Sequence, residues 1–112
     1  MLAYRVTIIT RPWTVQFLPK GQFVKKYGEN TLAVTETDER LIILRIDKMS
    51  LETTAHELTH AYVEEFSAPT MELTTDQMEE LCCDILAKHS TKIMEQASYI
   101  LHAYKVLRGR KR

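Results

Sequence analysis

The hydrophobic pattern changes its period near residue 50, and this change restricts the fold more than any other feature of the sequence. Tyr4, Val6 and Ile8 alternate with Arg5 and Thr7, which is the period of a half-buried strand. Similar patterns predict four strands, at residues 3–10, 14–18, 32–37 and 41–46. Beyond residue 50 the apolar residues recur at helical spacing. The order predicts an α+β fold, with a small, mostly antiparallel N-terminal sheet over residues 1–48 packed against helices.

The predicted sheet contains one recognisable hairpin and one two-sided strand. Residues 38–40 separate the last two strands by a length that suits a hairpin. Residues 41–44 are apolar on both faces, so we expect both sides of this strand to be covered. Residues 21–30 are mostly polar and are predicted to form a connection, with a helical turn as an option.

Capping signals place the helices of the second half. Ser50 is a predicted N-cap for a helix over residues 50–66. Thr74 and Gln77 resemble a capping box that opens a helical region over residues 74–107. A helix of that length is unusual in so small a domain, so we expect a break near Ser90 and hence one or two C-terminal helices. Gly109 is the predicted terminator, within a basic tail at residues 108–112.

Composition favours a single soluble domain in the cytoplasm. The chain has 112 residues, enough for one domain with a modest core. No apolar run approaches the roughly 18–20 residues that span a bilayer, so a membrane protein is not expected. The N-terminal residues lack the pattern of a secretory signal. Cys82 and Cys83 are adjacent, which disfavours a bridge between them, and both are predicted to be small buried residues in a reducing compartment.

Charge is segregated along the chain. No Lys or Arg occurs between Lys48 and Lys88, whereas this stretch contains nine Asp and Glu residues. An acidic middle suits a bound cation. The tail at 108–112 is basic, but a short basic end also suits a helix C-terminus, and no groove-reading motif accompanies it. Nucleic acid is therefore disfavoured as the main partner.

The segment from His56 to His60 has the pattern H-E-x-x-H inside the predicted helix. Residues four apart share a helical face, so both imidazoles can reach one metal ion. Glu57 is rotated about 100° from His56, which suits a general base beside the ion better than a third ligand. The alternative is a surface helix that carries two histidines and a glutamate without a metal.

A second acidic pattern follows in the next helix, with Glu80 and Asp84 four residues apart. Together with H-E-x-x-H, it resembles the gluzincins, the thermolysin-like zinc peptidases, whose pattern is H-E-x-x-H followed by E-x-x-x-D. The chain is also similar to small phage and mobile-element peptidases of the ImmA/IrrE type. The resemblance covers residues 50–89. It implies that Glu80 is the third ligand of a zinc ion and that Asp84 bonds the free nitrogen of a ligand histidine.

The helical positions around Glu80 leave one alternative metal ligand open. Glu80 and Asp84 share a side with the small residues Cys83 and Ala87, which predicts close approach to the first helix. Glu79, about 100° away, is the alternative ligand. The opposite side is predicted to be a broad apolar face, formed by Met78, Leu81, Cys82, Ile85, Leu86 and Ile93.

These features predict a zinc-dependent metallopeptidase acting on a protein or peptide, with Glu57 as general base for a metal-activated water. An oxyanion donor is expected but not identified; the residues with suitable chemistry, for each of which an ordinary helix position is the alternative, are His89, His102, Tyr62, Tyr99 and Tyr104. The exposed edge of the strand at 41–46 is predicted to pair with the substrate. The alternative is a non-catalytic, zinc-stabilised binding module that contacts nucleic acid through its tail. Other divalent ions fit the same ligands, and oligomeric state is not predicted.

Overall fold

The protein is an α+β domain, as predicted, in a computed structural model that describes residues 2–66 and 74–110. Its elements, in chain order, are β1 (Leu2–Ile8), β2 (Arg11–Leu18), α1 (Lys20–Tyr27), β3 (Ala33–Glu36), β4 (Leu41–Arg45), a 3₁₀ turn (Ile46–Lys48), α2 (Leu51–Phe66) and α3 (Thr75–Arg110). Helix α1 occupies the stretch predicted to be a polar connection, and it buries Phe23 against the sheet.

The four strands form one mixed sheet in the order β1-β2-β4-β3. The β1–β2 and β3–β4 pairs are antiparallel, and the second is the predicted hairpin, whereas β2 and β4 are parallel. Strand β4 therefore pairs on both sides, and the prediction that residues 41–46 offer an exposed edge is wrong. The physical reason is that a strand apolar on both faces is covered best in the middle of a sheet. The edge beside α2 belongs to β3.

Strand β2 begins earlier than predicted and includes a proline. Ile8 pairs with Arg11 across a two-residue turn, so the next pair, Thr7 and Pro12, falls at a position without ladder hydrogen bonds. The N–H that a proline lacks is therefore not needed at position 12, because the β1–β2 ladder forms no hydrogen bond there. Ile9 has a φ of 60°, the left-handed conformation that such tight turns require.

One face of the sheet packs against α2 and α3 and forms the main core. Its fully buried members include Trp13, Val15, Phe17, Ile42, Leu44, Leu58, Ala61, Tyr62, Ala97 and Ile100. The other face carries a smaller cluster of Leu18, Phe23 and Ile43 beneath α1. The prediction that both sides of residues 41–44 are covered is thus confirmed.

Both predicted helix starts are confirmed by hydrogen bonds. The Thr53 N–H donates to Ser50 Oγ at 3.0 Å, so Ser50 caps α2. At α3, the Thr74 N–H donates to Gln77 Oε1 at 2.9 Å and the Gln77 N–H donates to Thr74 Oγ1 at 3.2 Å. These two bonds form a reciprocal capping box.

Helix α3 runs without interruption to Arg110, so the predicted break near Ser90 is wrong and Gly109 lies inside the helix. Packing of Ile85, Ile93, Ala97 and Ile100 along its length stabilises a helix that is long for this domain. No helix in the described ranges is both long enough and apolar enough to cross a membrane.

The apolar face of α3 is narrower than predicted. Leu81, Ile85 and Ile93 do pack against the core, but Met78 and Leu86 are exposed. Cys82 and Cys83 are free and exposed, so the prediction that they are buried is wrong, and Ala87 beside them is exposed as well. Periodicity identifies which residues are apolar, but the width of the covered arc depends on what lies opposite. In this half of α3 only a thin stripe is covered.

Candidate metal centre

Helix α2 brings the two histidines of H-E-x-x-H together on its exposed side. The Nε2 atoms of His56 and His60 are 3.2 Å apart, and the rings meet edge to face at an angle of 79°. His56 is 68% exposed. Residues four apart are stacked one above the other on a helix, so this pairing follows directly from the spacing.

The nitrogen spacing fits a shared tetrahedral ion. Two Zn–N bonds of about 2.0–2.1 Å at the tetrahedral angle separate the nitrogens by about 3.3–3.4 Å. The observed 3.2 Å is close to that value. It also suits an N–H···N hydrogen bond between one protonated and one unprotonated nitrogen. The spacing of the two nitrogens thus fits a shared zinc ion.

Glu57 turns away from solvent and is anchored to the sheet. It is 7% exposed, and its Oε1 accepts a hydrogen bond of 2.8 Å from Thr35 Oγ1 in β3. The other oxygen, Oε2, is 3.9 Å from His56 Nε2. One oxygen is therefore fixed by the sheet while the second faces the histidine pair.

Thr35 was not identified from the sequence. Threonine is common in strands, so its presence in one carries no functional signal. Only the packing of β3 against α2 shows that this hydroxyl meets a carboxylate.

Ligand atoms of His56, Glu57 and His60 all lie within 4.8 Å of one another. Among the described residues, this is the group close enough to hold a metal ion. The carboxylate of Glu57 is near enough to act either as a base beside an ion or as a ligand. The helical-wheel argument favours the base, and the length of the side chain permits both.

Glu80, Asp84 and Glu79 lie in the exposed N-terminal part of α3, outside this group. Glu80 and Asp84 each precede a residue that packs on the core, Leu81 and Ile85. They are thus about 100° around the helix from the stripe that is packed against the core. Their roles remain predictions that follow from the resemblance.

The histidines sit beside an open sheet edge. Two depressions, of about 310 Å³ and about 440 Å³, adjoin His56 and Glu57, and Ala33 of β3 lines both. The Arg45 N–H donates to the Leu32 carbonyl at 3.4 Å, which sets the alternation of the β3–β4 ladder. The backbone groups of Ala33 and Thr35 therefore face away from β4. No strand in the described ranges pairs with them.

Two polar anchors hold these elements in place. Glu65 of α2 accepts hydrogen bonds from Trp13 Nε1 at 2.8 Å and from Arg40 Nε at 2.6 Å, which ties the helix to the sheet. Arg45 is 2% exposed and donates to the carbonyl of Glu29 at 2.8 Å, in the segment that leads into β3. The Arg45 hydrogen bond lowers the pKa of Asp47, the carboxylate partner of this guanidinium.

None of the five candidate oxyanion donors lines either depression. Tyr62 is buried, its hydroxyl donates to Gln96 Oε1 at 2.7 Å, and burial raises its pKa. His89 packs its ring against Tyr62 and Phe66. Tyr104 contacts Phe17, whereas Tyr99 and His102 are exposed on α3. The five side chains differ in their burial and in their contacts, and none has an evident role at the histidine pair.

The predicted basic tail, residues 108–112, begins within the last turn of α3. Arg108 places its guanidinium 5.8 Å from the centre of the Tyr104 ring, which is an ordinary cation–π contact. Residues 111 and 112 lie outside the described residues.

Comparison of the chain with protein-family models, with curated proteins and with solved structures finds no match. The gluzincin and ImmA/IrrE resemblance therefore rests on the two short motifs alone.

Proposed function

We propose that this protein is a zinc-dependent metallopeptidase in which His56 and His60 hold the metal and Glu57 is the general base. The observation that carries the proposal is the 3.2 Å spacing of the two Nε2 atoms beside a buried carboxylate. Because Thr35 fixes one oxygen of Glu57, the other oxygen is oriented in advance toward the reacting atoms.

Glu80 is the proposed third ligand, and Asp84 the partner of a ligand histidine. Catalytic zinc takes three protein ligands and keeps one position open. Both carboxylates are exposed and belong to α3, which packs along α2. The carboxylate of Glu80 lies outside the group of His56, Glu57 and His60, so coordination by Glu80 requires it to come closer to the two histidines. Glu79 is the alternative.

A zinc ion at this site supplies a Lewis acid that lowers the pKa of a water molecule toward about 7 and polarises a carbonyl. The carboxylate of Glu57 removes the proton from the attacking water and then delivers it to the leaving amine nitrogen. Thr35 is a positioning residue, since its hydroxyl holds the Glu57 carboxylate and does not touch the substrate.

The proposed substrate is an extended segment of polypeptide that pairs with β3. The outward backbone groups of Ala33 and Thr35 can form main-chain hydrogen bonds with a strand laid beside them. Such a strand runs past His56 and Glu57, which line the depressions next to this edge. A cytoplasmic location belongs to the same proposal, since Cys82 and Cys83 are free thiols.

Metal content, measured by elemental mass spectrometry after incubation with zinc and desalting, tests the ligand set. We expect about one zinc per chain in the wild type, as one catalytic site requires. Glu80→Ala should lose most of it, whereas Glu79→Ala and the loop control Glu39→Ala should keep it. Loss in Glu79→Ala alone would transfer the ligand role to Glu79. A wild type without zinc would refute the proposal.

Hydrolysis of an unfolded protein such as casein separates the peptidase from a zinc-stabilised binding module. Glu57→Gln should abolish cleavage and keep the zinc, because the amide cannot accept the proton. If the zinc-loaded wild type does not cleave and zinc only raises its melting temperature, the metal is structural. If Glu57→Gln loses the zinc, Glu57 is a ligand and not the base.

A further inference from the structure

A further cavity lies along the β1 edge of the sheet, and the proposed peptidase chemistry does not use it. Its volume is about 690 Å³, within the range of ligand-binding pockets, and it is bounded by β1 and α3. Tyr62 of α2 lines it, and Tyr62 is about 200° around the helix from His60. The cavity is therefore on the side of α2 away from the histidine pair.

The cavity meets β1 at its backbone edge. Its lining includes four consecutive residues of the strand, Tyr4 to Thr7. Successive side chains of a strand point to opposite faces, so a groove that contacts all four residues reaches the backbone of the strand. The ligand space thus runs beside the open ladder of β1.

Hydrogen bonds of β1 leave an unused donor and acceptor in this groove. The turn between Ile8 and Arg11 sets the alternation, so the backbone groups of Arg5 and Thr7 face away from β2. The Thr7 carbonyl accepts from Gln96 Nε2 at 2.8 Å, which closes the groove at that end. At Arg5 the N–H and carbonyl are available to an added strand. Both a donor and an acceptor suit a polypeptide, whereas phosphate groups offer only acceptors.

The walls of the groove are predominantly cationic. Lys88 and Lys92 project from α3, against the single carboxylate of Glu95. Neither lysine forms an ion pair with a residue in the described ranges. Lys88 and Lys92 are one helical turn apart, a rise of about 6 Å. Alternate residues of a strand share a face and are about 6.8 Å apart, so two acidic residues at such positions have a spacing close to that of the two lysines.

We propose that this groove binds an extended acidic peptide segment, with the pattern Glu-x-Glu, as an added strand on β1. Main-chain hydrogen bonds to Arg5 align the peptide, and its carboxylates face Lys88 and Lys92. This site needs neither metal nor the proposed peptidase activity.

Binding is measured by fluorescence anisotropy with a labelled peptide of alternating Thr and Glu residues, at low salt. The same peptide with Gln in place of Glu and an oligothymidylate of equal length are the comparison probes. We expect the Glu peptide to bind at least about tenfold more tightly than the Gln peptide. Equal binding of the two peptides, stronger binding of the oligonucleotide, or no binding would each overturn the proposal.

Charge reversal tests the walls. Lys88→Glu with Lys92→Glu should weaken Glu-peptide binding about tenfold or more. The control, Lys20→Glu with Lys25→Glu on α1, changes the net charge equally and should have a small effect. An equal loss in both pairs would show that only overall charge matters and would contradict a specific groove. His56→Ala should bind the peptide like the wild type, which separates this site from the metal centre.

Removal of one backbone donor tests strand pairing. Arg5→Ala loses the charge and keeps the N–H, whereas Arg5→Pro loses both, at an edge position whose N–H the ladder does not use. We expect the proline variant to bind about fivefold more weakly than the alanine variant. Equal affinities would exclude pairing at Arg5. Hydrogen exchange of the Arg5 amide in the wild type is the independent measurement, and it should slow when the peptide is added.

Discussion

The β3 edge and the β1 edge of the sheet offer similar backbone groups but opposite side-chain chemistry. On β3, the backbone N–H and carbonyl groups of Ala33 and Thr35 face outward, beside two histidines and the buried carboxylate of Glu57. On β1, the backbone N–H and carbonyl of Arg5 face outward, beside two lysines of α3. Open edges pair readily with any extended chain. If both proposals hold, the surrounding charges determine which chain each edge accepts.

The two edges also differ in how they are held. The segment before β3 is fixed by the buried Arg45, and the strand itself by the contact of Thr35 with α2. Strand β1 is held at Thr7 by Gln96, which in turn accepts from Tyr62. The edge proposed for catalysis is thus anchored by a charged group, and the edge proposed for binding by neutral ones. Four predictions test or refine this comparison, in order of decreasing expected effect.

Zinc should stabilise the protein only through the histidine pair beside β3. At free zinc 100 times its dissociation constant, we expect the free energy of unfolding to rise by about 2.7 kcal/mol. His56→Ala with His60→Ala should abolish this gain, because no donor pair remains. His102→Ala, which removes an exposed histidine of α3, should retain it. Thermal unfolding with and without zinc measures the difference, and a gain that persists in the double variant would contradict the assignment.

Arg45→Met should destabilise the protein by about 2 kcal/mol, because the Glu29 and Thr31 carbonyls and the Asp47 carboxylate lose their donor. The same replacement on the other edge, Arg5→Met, should change stability by no more than about 0.5 kcal/mol, since Arg5 is exposed. Urea unfolding of the two variants provides the measurement. Similar losses in both would show that the two edges are held alike.

Thr35→Val should lower kcat/KM about tenfold or more while zinc content stays unchanged. The expected cause is loss of the hydroxyl that orients Glu57. Thr35→Ser keeps the hydroxyl and should restore most of the activity. This prediction depends on the proposed peptidase function. If valine and serine variants have equal activity, the hydrogen bond has no catalytic role.

Tyr62→Phe should cost about 1 kcal/mol, because Oε1 of the buried Gln96 loses its donor. Burial raises the pKa of Tyr62 above its ordinary value of 10.0 in the wild type. The associated stability is present below pH 10 and is lost as the pH rises through the folded-state pKa. The Tyr62→Phe variant should not lose this stability at alkaline pH, so the difference in stability between the wild type and the variant should shrink above pH 10. A constant difference from pH 8 to 11 would contradict it.

Local features were predicted well. Ser50 and the Thr74–Gln77 pair cap their helices as expected, because capping depends on residues three or four apart. The closeness of His56 and His60 likewise follows from one helical turn. The errors share a different origin. The exposure of Cys82 and Cys83, the unbroken α3 and the central position of β4 all depend on what packs against each element.

The sequence by itself determined the order of the four strands and the two C-terminal helices, the caps of α2 and α3, and the meeting of His56, Glu57 and His60 on one helix. Only the tertiary structure decided that β3 and β1 form the edges and that Thr35 anchors Glu57. It also decided that a basic groove lies opposite the histidines. Periodicity and capping act over a single turn or strand, so they can be read locally. Strand order and burial are set by contacts between residues far apart in the chain, which no local pattern specifies.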